Sequence, residues 1–371
     1  MPNIAFARRP AGTPPFRGLF AALVPLAFAV ASCGEVSTLP SAVGGLDEVL
    51  FVQDPRLMED TLYGTVKATL QRQYGRFLHR EPTFDLLTLP LEDLANTLQK
   101  HRNLVFVGAL DATGPYNDQL QSLMGQEGTG AVREGGTFIG ERRNVWADGQ
   151  HVHLIVAPDR ERLGRVLPRA LDETMARIDG IEAAKVQRFV YASGVDQALT
   201  RELAEAHDIV LRIPEYYDKH EASNGNFLWY RRSTLDLTAS VMVYHHPYRR
   251  ETETTPAYAV FVRDSLGRRY ERSATPGAYM TTEKLLPPLV DTVDLNGHFA
   301  IRTQGLWRLV NDFMGGPFVN YQVYDPVHHR IIHLDAYVYA PDITRKRKLV
   351  RELDAILRTF DLPGAVVDGK D

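Results

Sequence analysis

Apolar residues fall into two rhythms along this chain, and the points where one gives way to the other outline its elements. Glu48 to Gln53 (EVLFVQ) is a short apolar run of strand length, whereas Met58, Leu62, Val66, Leu70 and Tyr74 recur every fourth residue as one helical face. Further strands are predicted at Thr83 to Leu89 and Asn103 to Leu110, with a short helix carrying Leu91, Leu94 and Leu98 between them. The glycine-rich, polar stretch from Asp111 to Gly140 reads as a long loop, and its glycines lack the strand and helix flanks of a phosphate-binding loop. Asp148-Gly149 predicts a hairpin turn joining Asn144-Val145-Trp146 to the alternating run His151 to Val156. Asp159 then caps a helix whose apolar face is Leu163, Val166, Leu167, Leu171, Met175 and Ile178, with Pro168 as a kink.

The second half continues with a helix carrying Val195, Leu199 and Leu203 and strands at Ile209 to Ile213, Asn226 to Arg231 and Ser240 to Tyr244. A helix from about Pro256 to Leu266 follows, and strands lie near Trp307 and Phe318. The strand from Arg330 to Ala340 ends in Ala340-Pro341-Asp342 and leads to a basic helix burying Leu349, Leu353, Ile356, Leu357 and Phe360. Ala157-Pro158-Asp159 repeats that junction, which raises two similarly built halves as one reading and shared capping chemistry as the other. Strands adjoining strands, with helices interspersed, predict an α+β fold: a largely antiparallel sheet with amphipathic helices packed on it. The expected organisation is a first half over 46–192 and a second over 193–371, either separate or as one continuous domain.

The N-terminus has a different character. Arg8, Arg9 and Arg17 precede an unbroken apolar run, Leu19 to Ala31, which is shorter than the roughly 20 residues a spanning helix needs. It ends in Val30-Ala31-Ser32-Cys33, which resembles a lipobox. Residues 1–32 are therefore expected to be a lipoprotein signal peptide, Cys33 to carry the lipid, and 33–45 to be a flexible tether. Cys33 is the single cysteine, so its acylation leaves no thiol for a disulfide, a catalytic cysteine or a zinc site. Removing the three leader arginines takes the formal charge from -4 to -7, and an acidic protein is not expected to bind nucleic acid. The expected address is the cell envelope, lipid-anchored on the periplasmic side or at the cell surface.

Five phrases occur in order: Asn226-Phe227-Leu228-Trp229, Gly277-Ala278-Tyr279-Met280-Thr281-Thr282-Glu283, Gly305-Leu306-Trp307, Met314-Gly315-Gly316-Pro317-Phe318 and Tyr337-Val338-Tyr339-Ala340-Pro341. With Arg102-Asn103, Trp146-Ala147 and Lys346-Arg347, the chain from about Gly44 to Phe360 resembles a bacterial envelope lipoprotein family, domain of unknown function 4837. The resemblance implies an envelope lipoprotein and brings no catalytic residues. Its vocabulary is glycine, aromatic residues and proline.

Candidate chemistry is sparse. His151 and His153 share one side of a strand, opposite Val152, Leu154 and Val156, and are expected as its polar face; no metal or cofactor is predicted. On the Arg330 strand, Ile332, Leu334, Ala336 and Val338 form the core side. His333, Asp335, Tyr337 and Tyr339 form the other, and with Trp307 and Tyr321 they make a candidate face for stacking on a sugar or holding a peptide. The alternative is that a second layer buries it. Gly315-Gly316-Pro317 is expected as a tight turn. Neither Gly-x-Ser-x-Gly nor His-Glu-x-x-His is present. The resulting expectation is a non-enzymatic binding or accessory protein for an envelope protein or glycan; the alternative is an envelope hydrolase acting on cell-wall or polysaccharide material.

Overall fold

A computed structural model describes residues 39–54, 56 and 61–363. Cys33, the leader and Met58 lie outside them. The described part forms one compact unit containing two sheets.

The first sheet has the order β2-β1-β3-β5-β4, from β1 (Glu48–Gln53), β2 (Asp85–Pro90), β3 (Asn103–Ala109), β4 (Phe138–Arg143) and β5 (His151–Ala157). β1, β2, β3 and β5 run parallel, and β4 lies antiparallel on β5. Helices α1 (Thr61–Leu70) and α4 (Arg160–Val190) pack on one face and α3 (Pro115–Arg133) on the other. Strands covered on both sides need apolar residues at every position, which is why β1 and β3 read as unbroken runs. The same geometry corrects the reading of the histidines: His153 is not on a solvated face but is buried toward α4, where burial depresses its pKa to about 4.

Other expectations are corrected locally. The predicted loop contains α3, in which Pro115 opens the helix and Tyr116, Leu120, Leu123 and Met124 point into the core; Gly125, at φ 75°, breaks its regularity. The predicted two-residue hairpin is a longer connection, because strand pairing stops at Arg143 and His151. The expected helix between β2 and β3 is split into a 3-10 turn, Leu91–Asp93, and the short α2 (Asn96–Gln99). The last tether residues are docked: Ala42 N donates to Asp148 O at 2.8 Å and Val43 N to Lys100 O at 3.0 Å.

The second sheet is antiparallel, in the order β10-β11-β12-β13-β8-β7-β6 with β9 alongside β11. Its strands are β6 (Asp218–Lys219), β7 (Phe227–Ser233), β8 (Thr238–Pro247), β9 (Tyr279–Thr282), β10 (Leu289–Leu295), β11 (His298–Val310), β12 (Gly315–Asp325) and β13 (Arg330–Tyr339). With eight antiparallel strand pairings against three parallel ones, the molecule is an α+β protein with largely antiparallel sheet. One face packs against α7 (Arg347–Leu357), α5 (Gln197–His207) and the end of α4; the other lies under α6 (Pro256–Tyr270). Ile209, Leu211 and Ile213 are buried but form no strand, Val210 making a single bridge with Asp361. Gly315 and Gly316 lie within β12, not in a turn; the turn precedes them, where Leu309 N bonds Met314 O.

The repeated junction is shared only in part. Asp159 caps α4, accepting from Arg162 N at 2.7 Å, whereas Lys346, not Asp342, occupies the cap of α7 and its side chain makes no capping bond. The first sheet is mainly parallel and the second antiparallel, so the similarity stops at a strand leading into a helix.

Two devices fasten the sheets together. Leu163 to Ile178 of α4 belong to the first core, and Val186 and Val190 of the same helix belong to the second. Glu81, from the first half, accepts from the backbone N of Lys346 and Arg347 at 2.9 and 2.7 Å, satisfying orphan donors at the start of α7. Arg347 then reaches Asp47 at 3.1 Å and Asp85 at 2.8 Å.

Candidate functional site

The predicted aromatic face is covered. α6 lies over His333, Asp335 and Tyr337, and Arg263 of that helix places Nε 3.0 Å from Asp335 Oδ2, both side chains 1% exposed. The Arg263 guanidinium stacks 3.7 Å over Phe318, and Asn320 Nδ2 donates to Asp335 at 3.1 Å. Burial raises the Asp335 carboxyl, and the charge of Arg263 opposes that rise. Tyr337 hydroxyl bonds Glu271, and Trp307 Nε1 donates to Val338 O at 3.2 Å. Tyr339 is half-buried, tilted against Trp307. His333 has no hydrogen-bond partner on either ring nitrogen. His333, Asp335 and Tyr337 are thus packed beneath a helical layer, with Trp307 buried and Tyr339 half-buried beside them, and the five do not form an open platform.

Tyr321 lies on the opposite face of the sheet, as its register against Arg302 and Leu334 requires. There it is buried, and its hydroxyl bonds Asp354, a residue lining a cleft of ≈ 680 Å³ between the two halves. β11 supplies Arg302 and Gln304, alternate residues and therefore on one face. α7 and its cap supply Arg351, Asp354 and Arg358 at helical spacing, α4 supplies Asp179, β10 supplies Asp291 and Asp294, and Tyr74 and Gly75 come from the segment after α1. α4 faces the cleft largely with small residues, Ala176, Gly180, Ala183 and Ala184, which leave the space that the polar side chains of α7 and β11 line.

Asp354 is the hub. Its Oδ1 accepts from Tyr321 hydroxyl at 2.7 Å, its Oδ2 from Arg358 Nε at 2.8 Å, and Arg302 Nε stands 3.4 Å away. Burial alone would raise its pKa; the two guanidiniums and the hydroxyl outweigh burial and hold the carboxyl at about 2. Burial and Asp354 together raise the Tyr321 hydroxyl well out of the ordinary phenol range. Arg351 pairs with Asp179 at 2.6 Å and lies over the Tyr74 ring, whose pKa burial pushes up to about 12. Gln304 accepts from Arg302 Nη2 at 3.3 Å, leaving a buried Nε2 with no acceptor.

Gly75, at φ +59°, passes so close that a Cβ would lie 2.0 Å from that nitrogen. On the far side of this crossing lies an apolar groove of ≈ 530 Å³, lined by Phe77, Leu306, Trp307, Pro317 and Ile343 and edged by exposed Leu78, Leu285 and Phe313. The sequence reading missed the cleft because Arg302, Gln304 and Arg358 look like ordinary solvated positions. The one available signal was Asp354, a carboxylate set among Leu353, Ile356 and Leu357. Among the described residues, no group of three or more His, Cys, Asp or Glu is placed to hold a metal ion, and no helix is long and apolar enough to cross a membrane.

Residues 196–359 match the family described as "Domain of unknown function (DUF4837)", and residues 42–194 match another, "Domain of unknown function (DUF8532)". The first match is thus narrower than the span from Gly44 to Phe360 that the phrases suggested. No curated protein matches the chain. Among solved structures, the Saccharomyces cerevisiae Ran-binding protein Mog1p is 11% identical over 43% of this chain and 92% of that one, with a TM-score of 0.31. A Mog1 mutant gives 10% identity, 42% and 92% coverage and a TM-score of 0.29. A protein from Bacteroides thetaiotaomicron gives 6%, 42% and 45%, and 0.24. Likenesses this slight carry no functional argument.

Proposed function

With residues 196–359 matching the family Domain of unknown function (DUF4837), we propose that this chain is a non-enzymatic binding protein of the cell envelope. In this reading, lipid on Cys33 holds it at a membrane and the cleft around Asp354 takes a glycan. The observation that carries the reading is the cleft's lining. Carboxylates, guanidiniums, amides and a phenol line a space of ≈ 680 Å³, a set suited to many hydroxyl groups. A protein-docking site would instead need a central apolar anchor.

The hydrolase alternative fares less well at this site. Asp354, the most buried carboxyl of the cleft, is clamped by two arginines and held at about 2, so at neutral pH it is ionised and has no proton to donate. Calorimetric titration of the purified protein with soluble envelope glycan fragments is expected to show saturable binding without release of new reducing ends. Turnover would move the reading to the hydrolase, and absence of binding to every fragment would end it. Incorporation of a labelled fatty acid, lost in Cys33→Ala, tests the anchor.

A further inference from the structure

The cleft holds more donor capacity at one corner than its own acceptors satisfy. Arg302 and Arg358 share a single buried carboxylate, Asp354, so two guanidiniums face one buried negative charge at that corner. The next acid, Asp291, is 4.0 Å from Arg302 and largely exposed. Arg358 bonds Asp354 through Nε, and the rest of its half-exposed guanidinium has no acceptor among the described residues. Gln304 adds an independent sign: it is 2% exposed, its oxygen is occupied by Arg302, and its Nε2 is a buried donor without a partner among the described residues. A buried donor left unpaired is costly, and a ligand oxygen that reaches it offsets the cost.

We infer that the glycan bound in this cleft is acidic, with an oxyanion on the sugar seated between Arg302, Arg358 and Gln304. The inference rests on the glycan reading proposed above. Guanidinium forks match planar or tetrahedral oxyanions through paired N–H donors, so the shared chemistry is a carboxylate, as in a uronic acid, or a phosphate ester. Asp291 and Asp294 make the wall beside that corner acidic, which disfavours a polyanion and selects one charged group among neutral hydroxyls.

The test is calorimetric titration of the whole protein with three trisaccharides of matched size: neutral, uronic-acid-containing and phosphorylated. Each is also titrated into Arg358→Gln, with near-ultraviolet circular dichroism as the check on folding. One acidic sugar is expected to bind about tenfold or more tightly than the neutral one, and Arg358→Gln to bring that ratio close to one. Which acidic arm wins identifies the oxyanion. Equal affinity for neutral and acidic sugars overturns the inference while leaving the glycan reading in place. An acidic preference that survives unchanged in folded Arg358→Gln overturns the assigned seat, and no binding in any arm removes both readings.

Discussion

Gly316 shows how far one hydrogen atom can matter. A Cβ there would sit 2.0 Å from Val338 O and 3.1 Å from Trp307 Nε1, and Val338 O is the acceptor of that indole. Backbone cannot give way as a side-chain tip does, so Gly316→Ala should cost about 3 kcal/mol or more in urea unfolding. A loss below about 0.5 kcal/mol would show that β12 and β13 separate easily at this point. His333 makes the complementary case for charge. Burial first, and His246 second, depress its pKa to about 3, so the folded state keeps it neutral while the unfolded chain takes up a proton below the usual value of 6.5. Its contribution is therefore complete above about pH 6.5 and is lost progressively as pH falls toward 3, at up to about 1.4 kcal/mol per pH unit. His153 and His245, both depressed to about 4, act in the same direction. His333→Leu should flatten the slope of unfolding free energy between pH 6 and 4; an unchanged slope would show that this ring does not titrate on unfolding.

At the scale of elements, the sequence was most legible where one face alone is apolar. α4, α5 and α7 announce themselves through fourth-residue spacing, and Asp159 marks the start of α4 by accepting a backbone N–H as an N-cap does, whereas Val195, expected within α5, precedes its cap Asp196. β1 and β3 were legible as strands, but their covering on both faces was not, because an apolar run is equally consistent with one buried layer or two. This ambiguity hid the parallel sheet. α3 was lost to its glycines, which lower helical propensity while Tyr116, Leu120 and Leu123 keep the helical rhythm. β10 was lost for the opposite reason: as an edge strand, largely exposed, it carries Asp291, Thr292 and Asp294 and never alternates cleanly. The candidate site suffered most. Alternation identified which residues share a face of β13, yet whether α6 covers that face is a tertiary fact. Only Tyr321 was carried by its register to the other face, where it lies buried behind the cleft and bonds Asp354.

For the whole molecule, the decisive contacts join residues far apart in sequence. Arg347 lies buried between Asp47 and Asp85 of the first half, while Glu81 receives the first backbone donors of α7. Removing the cation takes one partner from each carboxylate, Asp47 keeping Arg351 at 3.2 Å and the part-exposed Asp85 keeping Arg345 at 2.8 Å, so Arg347→Met should destabilise by about 1–3 kcal/mol and lower the thermal midpoint accordingly. A shift of less than a degree or two would mean that α4 alone keeps the sheets together. These contacts also govern the cleft, whose wall from α4 precedes residue 195 and whose walls from β10, β11 and α7 follow it.

The last turns of α4 therefore have a consequence for inheritance. The two matched family segments, 42–194 and 196–359, divide the lining of the cleft between them. A hybrid gene pairing one segment with a foreign counterpart would assemble a new gap between Asp179 and Asp354. The distance between those two acids is thus a shared property of both segments, and selection on either one acts on what the other can hold.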